Sequence, residues 1–299
     1  MSTISFAFYL GFCLVRALDL SNTSFILPAN DGEAKAIEAI LRTNGASDIR
    51  VSAQGWGARL DREPPNVFEG LKKNIVIVEM PSPELEEKLR TEGHHVLVID
   101  HHSYQELKRA NPKSSIEQIA ELLNVKLTKF QKGVAINDRS YIFGLVDSEF
   151  KFSNEEIQEI REYDLRAQNY TDAEFETART AFSRRLKLPH LTVVSTPSSK
   201  TGFISDLNVL ENREGIRDLL VISHKDSQVT ELNFYGSPSL AKKLQSALGG
   251  WSGGDESRSM YWGFSIPEGK SLQDFPQLTQ TLRVNCRDVF RQVSEIEIK

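Results

Sequence analysis

His94-His95-Val96-Leu97-Val98-Ile99-Asp100-His101-His102 holds a four-residue apolar run that follows Gly93 and stops abruptly at Asp-His-His. That pattern predicts a short buried parallel strand. Such a strand carries one carboxylate and two imidazoles to the carboxyl edge of a sheet, where open α/β folds place their ligands. Imidazole and carboxylate together suit a divalent metal such as manganese or zinc. An isolated His pair after a strand is more simply a surface feature. The choice between the two depends on whether other acidic strand ends reach the same edge.

The upstream segments repeat the pattern. Ser24-Phe25-Ile26-Leu27 is strand-like and leads through Pro28 into Asp31-Gly32-Glu33-Ala34, then a helical pattern through Ile37, Ile40 and Leu41. Asp31 either caps that helix or serves a ligand, and the sequence leaves both open. Asp48 to Ala53 predicts a second strand, before the turn Gly55-Trp56-Gly57. Asn74 to Val78 predicts a third, ending in Glu79 and followed by a helix over 83–90 that Gly93 closes. Downstream, 115–123 reads as an amphipathic helix with Ile116, Ile119, Ala120 and Leu123 on one face. Gly133-Val134-Ala135-Ile136 predicts a fifth strand ending in Asn137-Asp138-Arg139, and 154–167 a charged helix with Ile157 and Ile160 inward. Strands alternating with helices imply a parallel sheet with helices on both faces, and their acidic ends imply a metal-centred site.

Beyond about Arg185 the texture changes. Strands are expected over 191–195, 202–207, 219–224, 229–235 and 260–264, with one helix over 239–248 and a glycine-rich stretch over 249–254. The expected organisation is an α/β domain over 1–185 and a smaller α+β domain with a mixed sheet over 186–299, joined around Phe182 to Pro189.

The totals bound the class. At 299 residues the chain can bury a substantial core, and 39% hydrophobic with 26% charged residues is ordinary for a globular protein. A net charge of −5 argues against a partner of long duplex nucleic acid, which calls for a basic footprint. Two distant cysteines, Cys13 and Cys286, suggest a reducing, cytoplasmic compartment without a disulfide framework. The apolar run Phe6 to Val15 is too short to span a bilayer as a helix and lacks a basic segment before it. It is read as a helix over 5–18 packing on the body, or as an extension from an early start codon, with no membrane partner expected. His94 and His95 stand at the wrong end of their strand to join Asp100, and His190 and His224 show no ligand spacing.

These residues, in this order, resemble the DHH phosphoesterase family. The family's first motif is matched by Pro28-Ala29-Asn30-Asp31-Gly32-Glu33-Ala34, its second by Glu79, its third by Asp100-His101-His102 and its fourth by Asp138. Gly249-Gly250-Trp251-Ser252-Gly253-Gly254 is similar to the glycine-rich substrate loop of its associated domain. The resemblance implies one or two Mn²⁺ ions, with Mg²⁺ as the alternative, held by Asp31, Glu33, Glu79, His101 and Asp138. It implies that Asp100 orients an imidazole, that His102 faces the phosphate, that Arg139 adds a charge-assisted bond, and that Gly249, Gly250, Gly253 and Gly254 contact substrate. The implied activity is hydrolysis of a small phosphoester, short oligonucleotide or cyclic dinucleotide through metal-activated water in the interdomain cleft. A homodimer is compatible with this reading. Four departures keep an alternative open. Pro28 stands where the family has a ligating His, Glu33 and Glu79 replace aspartates, and Trp251 to Asp255 contains no His. A fold that binds or senses a nucleotide without turnover fits those changes.

Overall fold

The computed structural model describes residues 18–102, 111–225 and 228–282. Apart from Leu18, the helix expected over 5–18 lies outside the described residues. An α/β domain with a parallel sheet and flanking helices is followed by a smaller domain with a mixed sheet. By compactness the chain divides into Met1–Ala29 with Ala34–Thr128, and Asn30–Glu33 with Lys129–Lys299. These are called unit 1 and unit 2 below. Among the described residues, no helix is long and apolar enough to cross a membrane.

Unit 1 contains β1 (Thr23–Leu27), most of α1 (Gly32–Thr43), β2 (Asp48–Val51), β3 (Asn74–Val78), α2 (Pro83–Thr91), β4 (His95–Ile99) and α3 (Ser115–Leu122). The four strands run parallel in the order β2-β1-β3-β4. Ile26, Ile75 and Ile77 alternate along β1 and β3 onto one face, where Leu89 of α2 packs with Ala58, Leu60 and Met80. Burying each such aliphatic side chain contributes roughly 1.5–3 kcal/mol. The topology leaves β4 at a sheet edge, so the expected burial of that strand is corrected: Leu97 is 41% exposed and His95 is exposed, and only Ile99 is fully enclosed.

Unit 2 contains α4 (Lys129–Asp147), α5 (Asn154–Ala167), α6 (Asp172–Ser183), β5 (Leu186–Lys187), β6 (Leu191–Thr196), α7 (Gly202–Glu211), β7 (Asp218–Lys225), β8 (Gln228–Gly236), α8 (Pro238–Leu248), β9 (Trp251–Asp255), β10 (Ser259–Ser265) and α9 (Pro276–Leu282). Its sheet has the order β5-β6-β7-β8-β10-β9, with β6 and β7 parallel and the other pairs antiparallel. One face packs Leu191, Val193, Leu220, Ile222, Phe234 and Trp262 with Ala241 and Leu244 of α8. The other packs Val194, Leu219 and Val221 with Phe175, Ala178, Phe203 and Ile204 from α6 and α7.

Three expectations are corrected here. Residues 133–136 are not a fifth strand but lie within α4, where Val134, Ala135, Ile142 and Leu145 are buried at helical spacing. Residues 202–207 are not a strand but the start of α7, which carries the chain between the parallel strands β6 and β7. Parallel strands need such a crossover, and Phe203, Ile204 and Leu210 fit the period of a helix rather than a strand. The glycine-rich stretch is not a loop throughout, because 251–255 form the edge strand β9.

Candidate metal centre

In unit 1 the chemistry sits just past the ends of β3 and β4. The Glu79 N–H donates to Ile99 O at 2.9 Å, which continues the sheet by one bond beyond the strands. Glu79 then turns with a φ of +51°, a left-handed conformation that is uncommon and costly for a residue with a side chain. Its carboxylate is buried, and Oε1 accepts from Ser115 Oγ of α3 at 2.7 Å. His101 Nε2 lies 3.2 Å from that same oxygen, and His102 Nδ1 lies 3.9 Å from it.

Asp100 is buried behind this cluster. Its Oδ1 accepts from the His102 N–H at 2.9 Å and faces His102 Nδ1 at 3.1 Å. Its carbonyl accepts from Gln118 Nε2 of α3 at 3.2 Å. The hydrogen bond to Asp100 raises the His102 pKa above its usual value, against partial burial and with help from the Glu79 charge. The two rings stand 4.3 Å apart, with His101 enclosed and His102 nearly half exposed. Ligand atoms of Glu79, His101 and His102 all lie within 4.8 Å of one another. A carboxylate and two imidazoles at that spacing fit a divalent transition metal.

In unit 2, Glu33 opens the first turn of α1 and Asp138 stands on α4, with carboxylate oxygens within 4.8 Å of each other. The turn Asp31-Gly32-Glu33 is fixed by Asp164 of α5, whose Oδ1 accepts from the Gly32 N–H at 2.9 Å. Gly32 is required there, because an added Cβ would meet the Asp164 Cα at 2.9 Å. Asp164 in turn accepts from Arg161 Nη1 at 2.7 Å. Arg161 is only 2% exposed, and it also donates to Asn137 Oδ1 at 3.0 Å and to Asp206 Oδ2 at 2.9 Å. Asp206 is fully buried on α7, and its Oδ1 accepts from Tyr141 Oη at 2.9 Å. Burial would lower the Arg161 pKa, but Asp206, Tyr141 and Asp164 outweigh it and push it up, so the guanidinium stays charged. Burial, then the Asp206 charge, raises the Tyr141 pKa, which keeps its hydroxyl a donor.

Asp31 is buried beside Gly32, and Arg139 is exposed on α4. Pro28, just past β1, offers no ligand atom. Gly249 caps α8, and Gly250 lies where an added Cβ would collide with Gly263 O. Close backbone approach therefore accounts for that glycine without any ligand. On the same strands Trp251 packs across Gly263 and Tyr261 across Gly253, and both rings are more than 40% exposed.

Arg161, Asp164, Asp206 and Tyr141 were not among the expected site residues. A signal for the first two exists in the sequence. Ile157, Ile160, Arg161, Asp164 and Leu165 fall on one helical stripe, so two charges occupy the inward face of α5. Nothing comparable marks Asp206 or Tyr141.

No protein-family model matches the chain, and no curated protein matches it. Among solved structures it is similar to an exonuclease RecJ bound to manganese, at 13% identity and a TM-score of 0.40 over 87% of this chain and 88% of that one. It is also similar to PggH, a pGpG-specific phosphodiesterase from Vibrio, at 12% identity and a TM-score of 0.40 over 88% and 100%. A RecJ in complex with Mg²⁺ from Thermus thermophilus matches at 13% identity and a TM-score of 0.39, over 89% of this chain and 50% of that one. Each likeness is low in both identity and TM-score.

Proposed function

We propose that this chain is a metal-dependent phosphoesterase of the DHH type, acting on a small phosphoester, a short oligonucleotide or a cyclic dinucleotide. The observation that carries the reading is the strand-end cluster of Glu79, His101 and His102, with Asp100 behind it and a left-handed backbone at Glu79. Strain of that kind persists where the surroundings hold it, and it gathers at functional sites.

In this reading Glu79 and His101 hold a divalent ion together with Glu33 and Asp138, and Mn²⁺ is the ion expected. Asp31 with Glu79 serves a second, weaker position, because Pro28 replaces a neutral ligand. When bound, the metal supplies Lewis-acid polarisation of the phosphoryl group and activation of water. Asp100 fixes the His102 ring by its bond to Nδ1, which leaves Nε2 as the atom presented to a phosphate oxygen. A raised His102 pKa favours the cationic ring that such a contact requires. Arg139 adds a charge-assisted bond to phosphate. Gly249, Gly250, Gly253 and Gly254, with the exposed rings of Trp251 and Tyr261, form the surface for the rest of the substrate. Planar bases stack on aromatic side chains irrespective of sequence, which favours a nucleotide. The net charge of −5 favours a short substrate over a long duplex.

The test is hydrolysis of these three substrate classes by the purified chain with added Mn²⁺. Turnover that falls at least a hundredfold in both Glu79→Gln and Asp138→Asn is expected. Absence of turnover, with a cyclic dinucleotide or short oligonucleotide still bound, would replace this reading by a second one, in which the fold senses a nucleotide without cleaving it. Pro28, Glu33 and Glu79 are the departures that favour that second reading.

A further inference from the structure

We propose that Arg161 is a positioning residue, a single buried guanidinium that fixes the backbone under both Glu33 and Asp138. The inference rests on the reading of those two carboxylates as metal ligands, and its geometry lies wholly within unit 2.

Arg161 spends its donors on three acceptors, and each leads to a ligand. Nη1 reaches Asp164 Oδ2, while the other oxygen of Asp164 takes the Gly32 N–H, one residue before Glu33. Nη1 also reaches Asn137 Oδ1, one residue before Asp138. Nε reaches Asp206, whose second oxygen takes the hydroxyl of Tyr141, three residues after Asp138. Tyr141 is where α4 breaks, with φ +54° and ψ −165°, and the Arg161 guanidinium carbon lies 4.2 Å from the centre of its ring. The direction of α4 around Asp138 is thus anchored on both sides by groups that Arg161 holds.

The chemistry explains why this side chain is an arginine. A guanidinium presents five N–H donors in a rigid plane, so one charge can hold three acceptors at fixed angles, which a lysine ammonium on a flexible stem cannot do. A buried ion network is weak evidence for stability as such, because desolvation offsets most of the attraction. Its value lies in specifying one geometry, and a ligand set depends on second partners of this kind for about 10–100-fold in metal affinity.

The test uses the full chain and needs no metal for its first readout. In the metal-free protein, Arg161→Lys is expected to lower hydrogen-exchange protection at 32–34 and 137–142 at least tenfold while leaving β6 and β7 protected. Asp164→Ala is expected to do so at 32–34 alone, and it serves as the test should Arg161→Lys fail to fold. Mn²⁺ affinity should fall at least tenfold in both. The control is Leu220→Ala, which opens a cavity on the other side of the sheet; it should lower the melting temperature and change neither readout. Unchanged protection at both segments, or an even loss of protection across unit 2, overturns the proposal. If the wild-type chain binds no Mn²⁺, the metal reading fails by itself, and the protection pattern still decides whether Arg161 positions these segments.

Discussion

Units 1 and 2 deliver their acidic and imidazole groups by different means. In unit 1 the backbone does the placing: two adjacent parallel strands end together, one extra hydrogen bond from Glu79 to Ile99 extends them, and the side chains that follow meet. In unit 2 the carboxylates stand on helices, and a buried guanidinium with two buried aspartates sets where those helices begin and break. Sheet registry is a strong and local constraint, and α3 adds to it with Ser115 on the Glu79 carboxylate and Gln118 on the Asp100 carbonyl. Helix starts and kinks are softer, and they need side-chain anchors.

The largest effect is expected on removing the deepest partner of Arg161. Asp206→Ala removes one of the two carboxylates that pair with the buried guanidinium and leaves Arg161 Nε and the Tyr141 hydroxyl without their acceptor, and should cost about 3–5 kcal/mol of unfolding free energy. Urea denaturation measures it, and a cost under about 1 kcal/mol would mean that Asp206 does not hold the buried guanidinium. The next effect is smaller. Gly32→Ala places a methyl 2.9 Å from the Asp164 backbone and should cost about 1–3 kcal/mol, the range for overpacking. A thermal melt that matches wild type would show that the turn before Glu33 is not held as described.

The smallest effect concerns a histidine outside either ligand set. His224 sits at a register shift between β7 and β8, and its Nε2 is buried with no partner among the described residues. Burial lowers its pKa below the usual 6.5, so the folded state binds fewer protons than the unfolded one in that range. Its contribution to stability is therefore present above pH 6.5 and is lost as pH falls through the lowered value. His224→Gln should flatten that acid-side slope slightly, as read by melting temperature between about pH 7 and pH 5. An unchanged slope would place the pH sensitivity elsewhere.

The sequence made unit 1 legible and unit 2 much less so, for physical reasons. Val96–Ile99 and Ile75–Val78 are apolar runs bounded by turn residues, the pattern of sheet strands, and each ends in the group that matters. Gly133–Ile136 has the same look, but four apolar residues cannot distinguish a strand from one turn of a buried helix. The first residues of α7 misled in the same way, and only the crossover required between β6 and β7 explains the helix there. The charged stripe on α5 was readable in principle, yet a charged pair on a helix is far more often solvated than buried. Asp206 lies 45 residues from Arg161 and 65 from Tyr141, the two groups it binds in the network, and no local pattern reveals a partner at that range.

The proposal that matters most is that Glu79 and Asp138 are metal ligands. It is tested most directly by Mn²⁺ titration of the wild-type chain, Glu79→Gln and Asp138→Asn, read by calorimetry and by metal counting after gel filtration. A tight ion is expected in wild type, with a loss of about a hundredfold in affinity, close to 2.7 kcal/mol, in each variant. Loss in Glu79→Gln with wild-type binding in Asp138→Asn would contradict it, because the metal would then belong to the strand ends of unit 1 alone.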